Sequence, residues 1–139
     1  MMRFVPRGVL ALFVLINVFR GCVHAFAPDG GAHSIAGLDL STNAQTILSL
    51  FAGMGFHQLV MAGFQVFVLA RRRDLVTLAL VLQTVETALG VANLYFYRTL
   101  PVHVPGMPFN VANLAILLVA LAVAWWTERR APAPGGARA

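Results

Sequence analysis

The stretch 75-LVTLALVLQTVETALGVANLYFY-97 decides the fold. It carries one carboxylate, Glu86, and no basic residue. As a helix rising about 1.5 Å per residue, it is long enough to cross the roughly 30 Å hydrocarbon core of a bilayer. Immediately before it stand Arg71, Arg72, Arg73 and Asp74, a charged turn short enough to join two antiparallel spans. Residues 9–26, 44–70 and 109–126 form further apolar runs of spanning length. The expectation is an all-α polytopic membrane protein, a four-transmembrane-helix bundle.

Composition agrees. The chain of 139 residues is 59% hydrophobic and 11% charged, with a mean hydropathy of +0.78, far from the make-up of an ordinary water-soluble domain. One domain over residues 1–130 accommodates the four spans. The remainder, residues 131–139, contains Pro132, Pro134, Gly135 and Gly136 and is expected to be a disordered tail. A pI near 11.1 invites a nucleic-acid reading, but the arginines flank apolar runs in small clusters, without a basic face or interleaved stacking aromatics. No nucleic-acid partner is expected; the partner that composition implies is the lipid bilayer. All ten basic residues are arginine, a bias that fits a GC-rich bacterial genome. The single cysteine, Cys22, excludes an internal disulfide.

Arginine placement sets the expected orientation. Arg3, Arg7, Arg71, Arg72, Arg73, Arg129, Arg130 and Arg138 all fall on one side of a four-span chain, whereas the other side carries Asp29, Asp39, His33, His103 and Arg98. The positive-inside rule then puts both termini in the cytoplasm of a bacterium, with the spans in its inner membrane. Trp125 and Trp126 suit the inner aromatic belt, and Tyr95 and Tyr97 the outer one. Ser41, Thr42 and Asn43 are available as caps for the second helix, and Pro101, Pro105 and Pro108 predict an extended third connection. The first run has a rival reading: Arg3, Arg7, the apolar stretch to Phe19 and Val23-His24-Ala25 also fit a signal peptide cleaved after Ala25.

Against this apolar background, polar residues in mid-span are the candidate functional groups. Asn17, Arg20 and His24 share one face of the first helix, and Gln83, Glu86, Gly90, Asn93 and Tyr97 share one face of the third. Met54, Gln58, Met61 and Gln65 line the second, with His57 beside them, while Asn110 and Asn113 open the fourth. Counted from the cytoplasmic ends at about 1.5 Å per residue, Arg20 and Glu86 both lie near 16 Å, His57 near 20 Å and Asn113 near 21 Å. Arg20, His57, Glu86, Asn93 and Asn113 are therefore the candidate ligand-binding set. Charge at bilayer depth is costly and normally has a partner, so Arg20 and Glu86 are expected to meet directly or through one water or polar residue. A Glu paired with His in an apolar setting is also the candidate acid and base of a membrane-embedded enzyme, Glu86 with His57.

The structural alternative is equally concrete. Asn17, Gln58, Gln65 and Gln83 fit interhelical hydrogen-bond glue at about 0.6 to 2 kcal/mol each, and Ser49, Gly53, Gly55, Ala62 and Gly63 fit close helix contacts. No H-x-x-x-H or H-E-x-x-H spacing occurs, so a metal site would need His24, His57 and Glu86 to converge; no metal is expected and the sequence names no cofactor. Without lysine there is no Schiff base and no Walker lysine.

The length, the four spans, the polar first outer loop with Asp29-Gly30-Gly31 and Gly37-Leu38-Asp39, and the run Phe51-Ala52-Gly53-Met54-Gly55-Phe56 give the chain a layout that resembles the DoxX-like small bacterial membrane proteins. The resemblance implies a four-helix fold and an association with quinone or respiratory redox chemistry in some members; it transfers no functional residue. Two functions follow. One is a bundle that binds a lipophilic small molecule with a polar head, of quinone or isoprenoid type. The other is a non-catalytic accessory subunit, with a membrane-protein partner or a second copy of itself. A contiguous cavity containing Glu86 favours the first, and a filled core with polar residues on the lipid-facing surface favours the second.

Overall fold

In the computed structural model, which describes residues 4–98 and 104–130, four helices form an all-α bundle. They are α1 (Phe4–Phe26), α2 (Ala44–Arg71), α3 (Val76–Ala92) and α4 (Met107–Arg129). A 3-10 turn at Arg73–Leu75 leads into α3, and a π-helical turn at Asn93–Tyr97 extends it. All four are long and apolar enough to span a membrane, so this is a small multi-pass membrane protein. Large apolar side chains such as Leu15, Phe19, Leu50, Val60 and Val119 stand outward, as a bundle solvated by lipid requires.

The helices run past the limits set by hydropathy. α1 starts before Arg7, and α4 reaches Arg129, because a helix satisfies its own backbone beyond the hydrocarbon core and arginine stems can reach the headgroups from there. Pro108 belongs to the first turn of α4 rather than to the extended connection, a position where the missing N–H has no intrahelical partner to lose. The tail expected at 131–139 and Pro101 lie outside the described residues, as do Arg3, Arg138 and His103.

Each helix buries one stripe. On α1 it is Leu10, Phe13, Asn17, Gly21 and His24; on α2 Gly55, Gln58, Ala62, Gln65 and Val68; on α3 Val76, Ala79, Leu80, Gln83 and Thr84; on α4 Asn113, Leu117, Ala120 and Ala124. The three-and-four spacing of these stripes is the helical period. They divide the bundle into layers. Toward the arginine-rich end Leu10, Phe13, Val68, Leu80 and Leu117 make a dry apolar core, and in mid-bundle amide side chains replace it.

α1 and α2 form the most extensive interface, α3 packs chiefly on α4, and α2 touches α3 only lightly. Two glycines permit the α1–α2 approach. A Cβ on Gly55 would lie 2.6 Å from the Ala25 nitrogen and 2.8 Å from the Gly21 oxygen, and one on Gly21 would lie 2.8 Å from Leu59 Cγ. Gly53 and Gly63, expected among the close contacts, instead face open space, and Ser49 is exposed with its hydroxyl donating to the Gln45 carbonyl.

The first connection, residues 27–43, is a folded cap. The Asp29 carboxylate accepts from the Gly31 and Ser34 backbone N–H groups at 3.0 and 2.7 Å, which lowers its pKa to about 2. Gly30 and Gly31 take positive φ in this turn, and the Gly30 carbonyl meets His24 Nδ1 at 2.7 Å. Asn43 occupies the cap position of α2 with φ +58 and no side-chain capping bond, while Ser41 donates to Asp39 instead.

Candidate functional site

Three amides from three helices meet in mid-bundle. Asn17 Nδ2 on α1 donates to Gln65 Oε1 on α2 at 3.2 Å and to Gln83 Oε1 on α3 at 2.7 Å; Gln65 Nε2 donates to the same Gln83 oxygen at 2.6 Å. Gln83 passes the network outward. Its Nε2 donates to Glu86 Oε2 at 3.2 Å and to Thr87 Oγ1 at 3.3 Å. The other carboxylate oxygen, Glu86 Oε1, lies 3.1 Å from His57 Nε2 on α2. A continuous polar file thus begins in the core at Asn17 and ends at the α2–α3 surface at His57.

Burial changes sharply along that file. Gln65 is wholly enclosed and Asn17 and Gln83 nearly so, whereas the side chains of Glu86 and His57 are 30% and 57% exposed. The reason lies in the helical wheel. Glu86 lies at the edge of the buried arc that runs through Leu80, Gln83 and Thr84, and His57 is rotated about 100° from the buried Gln58. The pair therefore stands where α2 and α3 part, on the side presented to lipid. Gly53, one turn outward on α2, and Gly90, one turn outward on α3, have no atom within 4 Å of a built Cβ, so the surface beyond the pair is open.

The direct Arg20–Glu86 contact, one form of the meeting expected from depth, does not form. Arg20 Nη1 donates to Asn110 Oδ1 on α4 at 3.0 Å, and Glu86 is taken by Gln83 and His57. The physical cause is rotation: Arg20 turns toward the start of α4, and Glu86 toward α2. The two remain within coulombic reach of one another.

Of the five sequence-nominated residues, only His57 and Glu86 are joined by a hydrogen bond or ion pair. Asn113 is buried on the inner stripe of α4, and Asn93 is exposed where α3 passes into its π-helical turn. His24 is committed to the Gly30 carbonyl and meets Phe51 edge-on at 5.4 Å. Among the described residues no three potential metal ligands gather. Two participants escaped the nomination. Asn110, the partner of Arg20, was visible as a polar residue at the mouth of the fourth run, and Gln83, the hub, was visible only as one of several amides.

Among the described residues one buried acceptor has no partner: Gln58 Oε1, on the α2 stripe between Gly55 and Ala62. Matching the chain against protein-family models, curated proteins and solved structures gives no similar protein.

Proposed function

We propose that the protein is a non-catalytic subunit of the inner membrane that associates with a second copy of itself through the α2–α3 face, centred on His57 and Glu86. The observation that carries this reading is the position of that pair: hydrogen-bonded, in mid-span, half-exposed, outside a core already filled by the amide network. In lipid the apolar surface gives little drive to associate, so unsatisfied hydrogen-bonding capacity and close backbone approach decide where helices meet. Both are present here. His57 and Glu86 together supply a donor and acceptors, as a two-fold, self-complementary contact needs, and the open glycines Gly53 and Gly90 flank them. The arginine cluster supports a cytoplasmic location for both termini.

A second reading rests on Asn93. It continues the Glu86–Gly90 stripe and is exposed, so a lipophilic molecule with a polar head, of the quinone type that a DoxX-like kinship would suggest, can be seated on Glu86 and His57 with Asn93 at the outer lip.

Native mass spectrometry in mild detergent separates the two. A dimer that Glu86→Leu abolishes, and disulfide trapping of Val60→Cys in a Cys22→Ser background, support self-association. A monomer carrying a small lipophilic molecule that His57→Ala releases transfers the site to the second reading. A monomer with nothing bound refutes both.

A further inference from the structure

At the arginine-rich end, α1, α3 and α4 enclose an open cavity of about 210 Å³ whose polar lining includes Arg7, Arg73, Thr77 and Glu128, with Val76 and Ala124 on its apolar wall. We propose that this cavity binds the phosphodiester of an anionic phospholipid.

The charges of this end are unequally committed. Arg72 is paired with Asp74 through two hydrogen bonds at 3.1 and 2.8 Å, Arg129 lies over the Trp125 ring at 3.8 Å, and Arg130 lies over Trp126 at 4.5 Å. Arg7 and Arg73, the two that line the cavity, have no carboxylate within 4 Å among the described residues. Arg73 spends its Nε on the Leu69 carbonyl, which anchors the side chain and leaves the terminal nitrogens for a ligand. Glu128, the acid on the cavity wall, accepts the Thr77 hydroxyl. Two guanidinium groups against one carboxylate leave a single excess positive charge, which one phosphodiester neutralises. Arginine suits that role because its planar fork matches two phosphate oxygens at once.

The surroundings select a lipid over a free ion. Val76 and Ala124 continue the cavity wall into the spanning part of the bundle, where acyl chains lie, and Trp125 and Trp126 mark the adjoining headgroup level. Basic pockets between helices at the membrane face are suited to anionic headgroups.

The test is native mass spectrometry of the protein equilibrated with equal amounts of phosphatidylglycerol and phosphatidylcholine. The expected result is retention of phosphatidylglycerol in preference by about tenfold, lost in the double variant Arg7→Gln, Arg73→Gln. The preference should survive Arg71→Gln, Arg72→Gln, which removes equal charge outside the cavity, and Arg7→Lys, Arg73→Lys should keep part of it. Equal loss in both Gln pairs would show a diffuse surface potential and overturn the proposal. So would displacement of the lipid by millimolar inorganic phosphate, which would make this a site for the free ion. Arg71, Arg72 and Arg73 are exposed and Arg7 stands in the first turn of α1, and an unchanged thermal transition by circular dichroism shows that each variant folds.

Discussion

Replacing Gln83 by leucine should destabilise the bundle more than any other single change in the amide network. Gln83 takes part in four hydrogen bonds: its carbonyl oxygen accepts from Asn17 and Gln65, and its amide nitrogen donates to Glu86 and Thr87. The bonds to Asn17 and Gln65 join helices, where such bonds average about 0.6 kcal/mol. Those to Glu86 and Thr87 lie within α3, where i,i+3 and i,i+4 pairs give about 0.2 to 0.5 kcal/mol, so the four together come to about 2 kcal/mol. Leucine fills most of the volume, so the cavity contribution is small. The Asn17–Gln65 bond survives the change, whereas Asn17→Leu and Gln65→Leu each remove two bonds and should cost about 1 kcal/mol. The difference, about 0.5 to 1 kcal/mol, corresponds to a two- to fivefold change in the unfolding constant, measurable by titrating the purified protein in mixed micelles with sodium dodecyl sulfate and following helix content. A double cycle on Asn17 and Gln83 should return a coupling of about 0.6 kcal/mol. If Gln83→Leu proves no worse than Gln65→Leu, or lies within about 0.5 kcal/mol of the parent, the network is not a hub and the reasoning fails.

Gly55→Ala places a methyl group against the Ala25 backbone and should cost about 1 to 3 kcal/mol, whereas Gly53→Ala, two positions away in open space, should be neutral or slightly stabilising in the same titration. The Asp29 carboxylate stabilises the cap formed by residues 27–43 while ionised; because its folded pKa is depressed from 3.8 to about 2, that contribution is complete above the ordinary carboxylate range and is lost as pH falls toward 2. Amide shifts of Gly31 and Ser34 followed by nuclear magnetic resonance should therefore titrate near 2, and a midpoint near 3.8 would contradict the cap geometry. With Cys22 replaced, Ser34→Cys should react with an impermeant maleimide in intact cells and Arg72→Cys should not; the reverse pattern inverts the orientation.

The fold was legible because lipid imposes one strong rule. A span must satisfy its own backbone, so length and hydropathy of 75–97 and its three companions suffice to predict four helices. The polar centre was legible in depth and not in direction. Periodicity put Gln83 and Glu86 on one face, yet three residues subtend about 300°, and the 60° remainder separates an enclosed amide from a half-exposed carboxylate. Depth likewise matched Arg20 with Glu86, but partner choice depends on how helices rotate about their axes, and the packing of α1 on α4 gave Arg20 to Asn110. Gly55 and Gly53 look alike in sequence; only the crossing point of α1 and α2 distinguishes the one that has to be glycine.

The Arg20–Asn110 bond has a consequence for how the protein is made. Chains are synthesised from the N-terminus, and domains begin to organise as they emerge. The contacts that join the first two spans, Gly21 against Gly55 and the Asn17–Gln65 bond, all lie within them and are available as soon as both have been made. Arg20 then rests in that early hairpin without the acceptor it finally uses, because Asn110 belongs to α4, which is made after α1, α2 and α3. Until α4 arrives, the guanidinium has to be sheltered by water, headgroups or the insertion machinery. A chain halted before residue 104 should therefore be held back from the lipid or marked for degradation, so that the arrival of α4 is what releases the bundle into the bilayer.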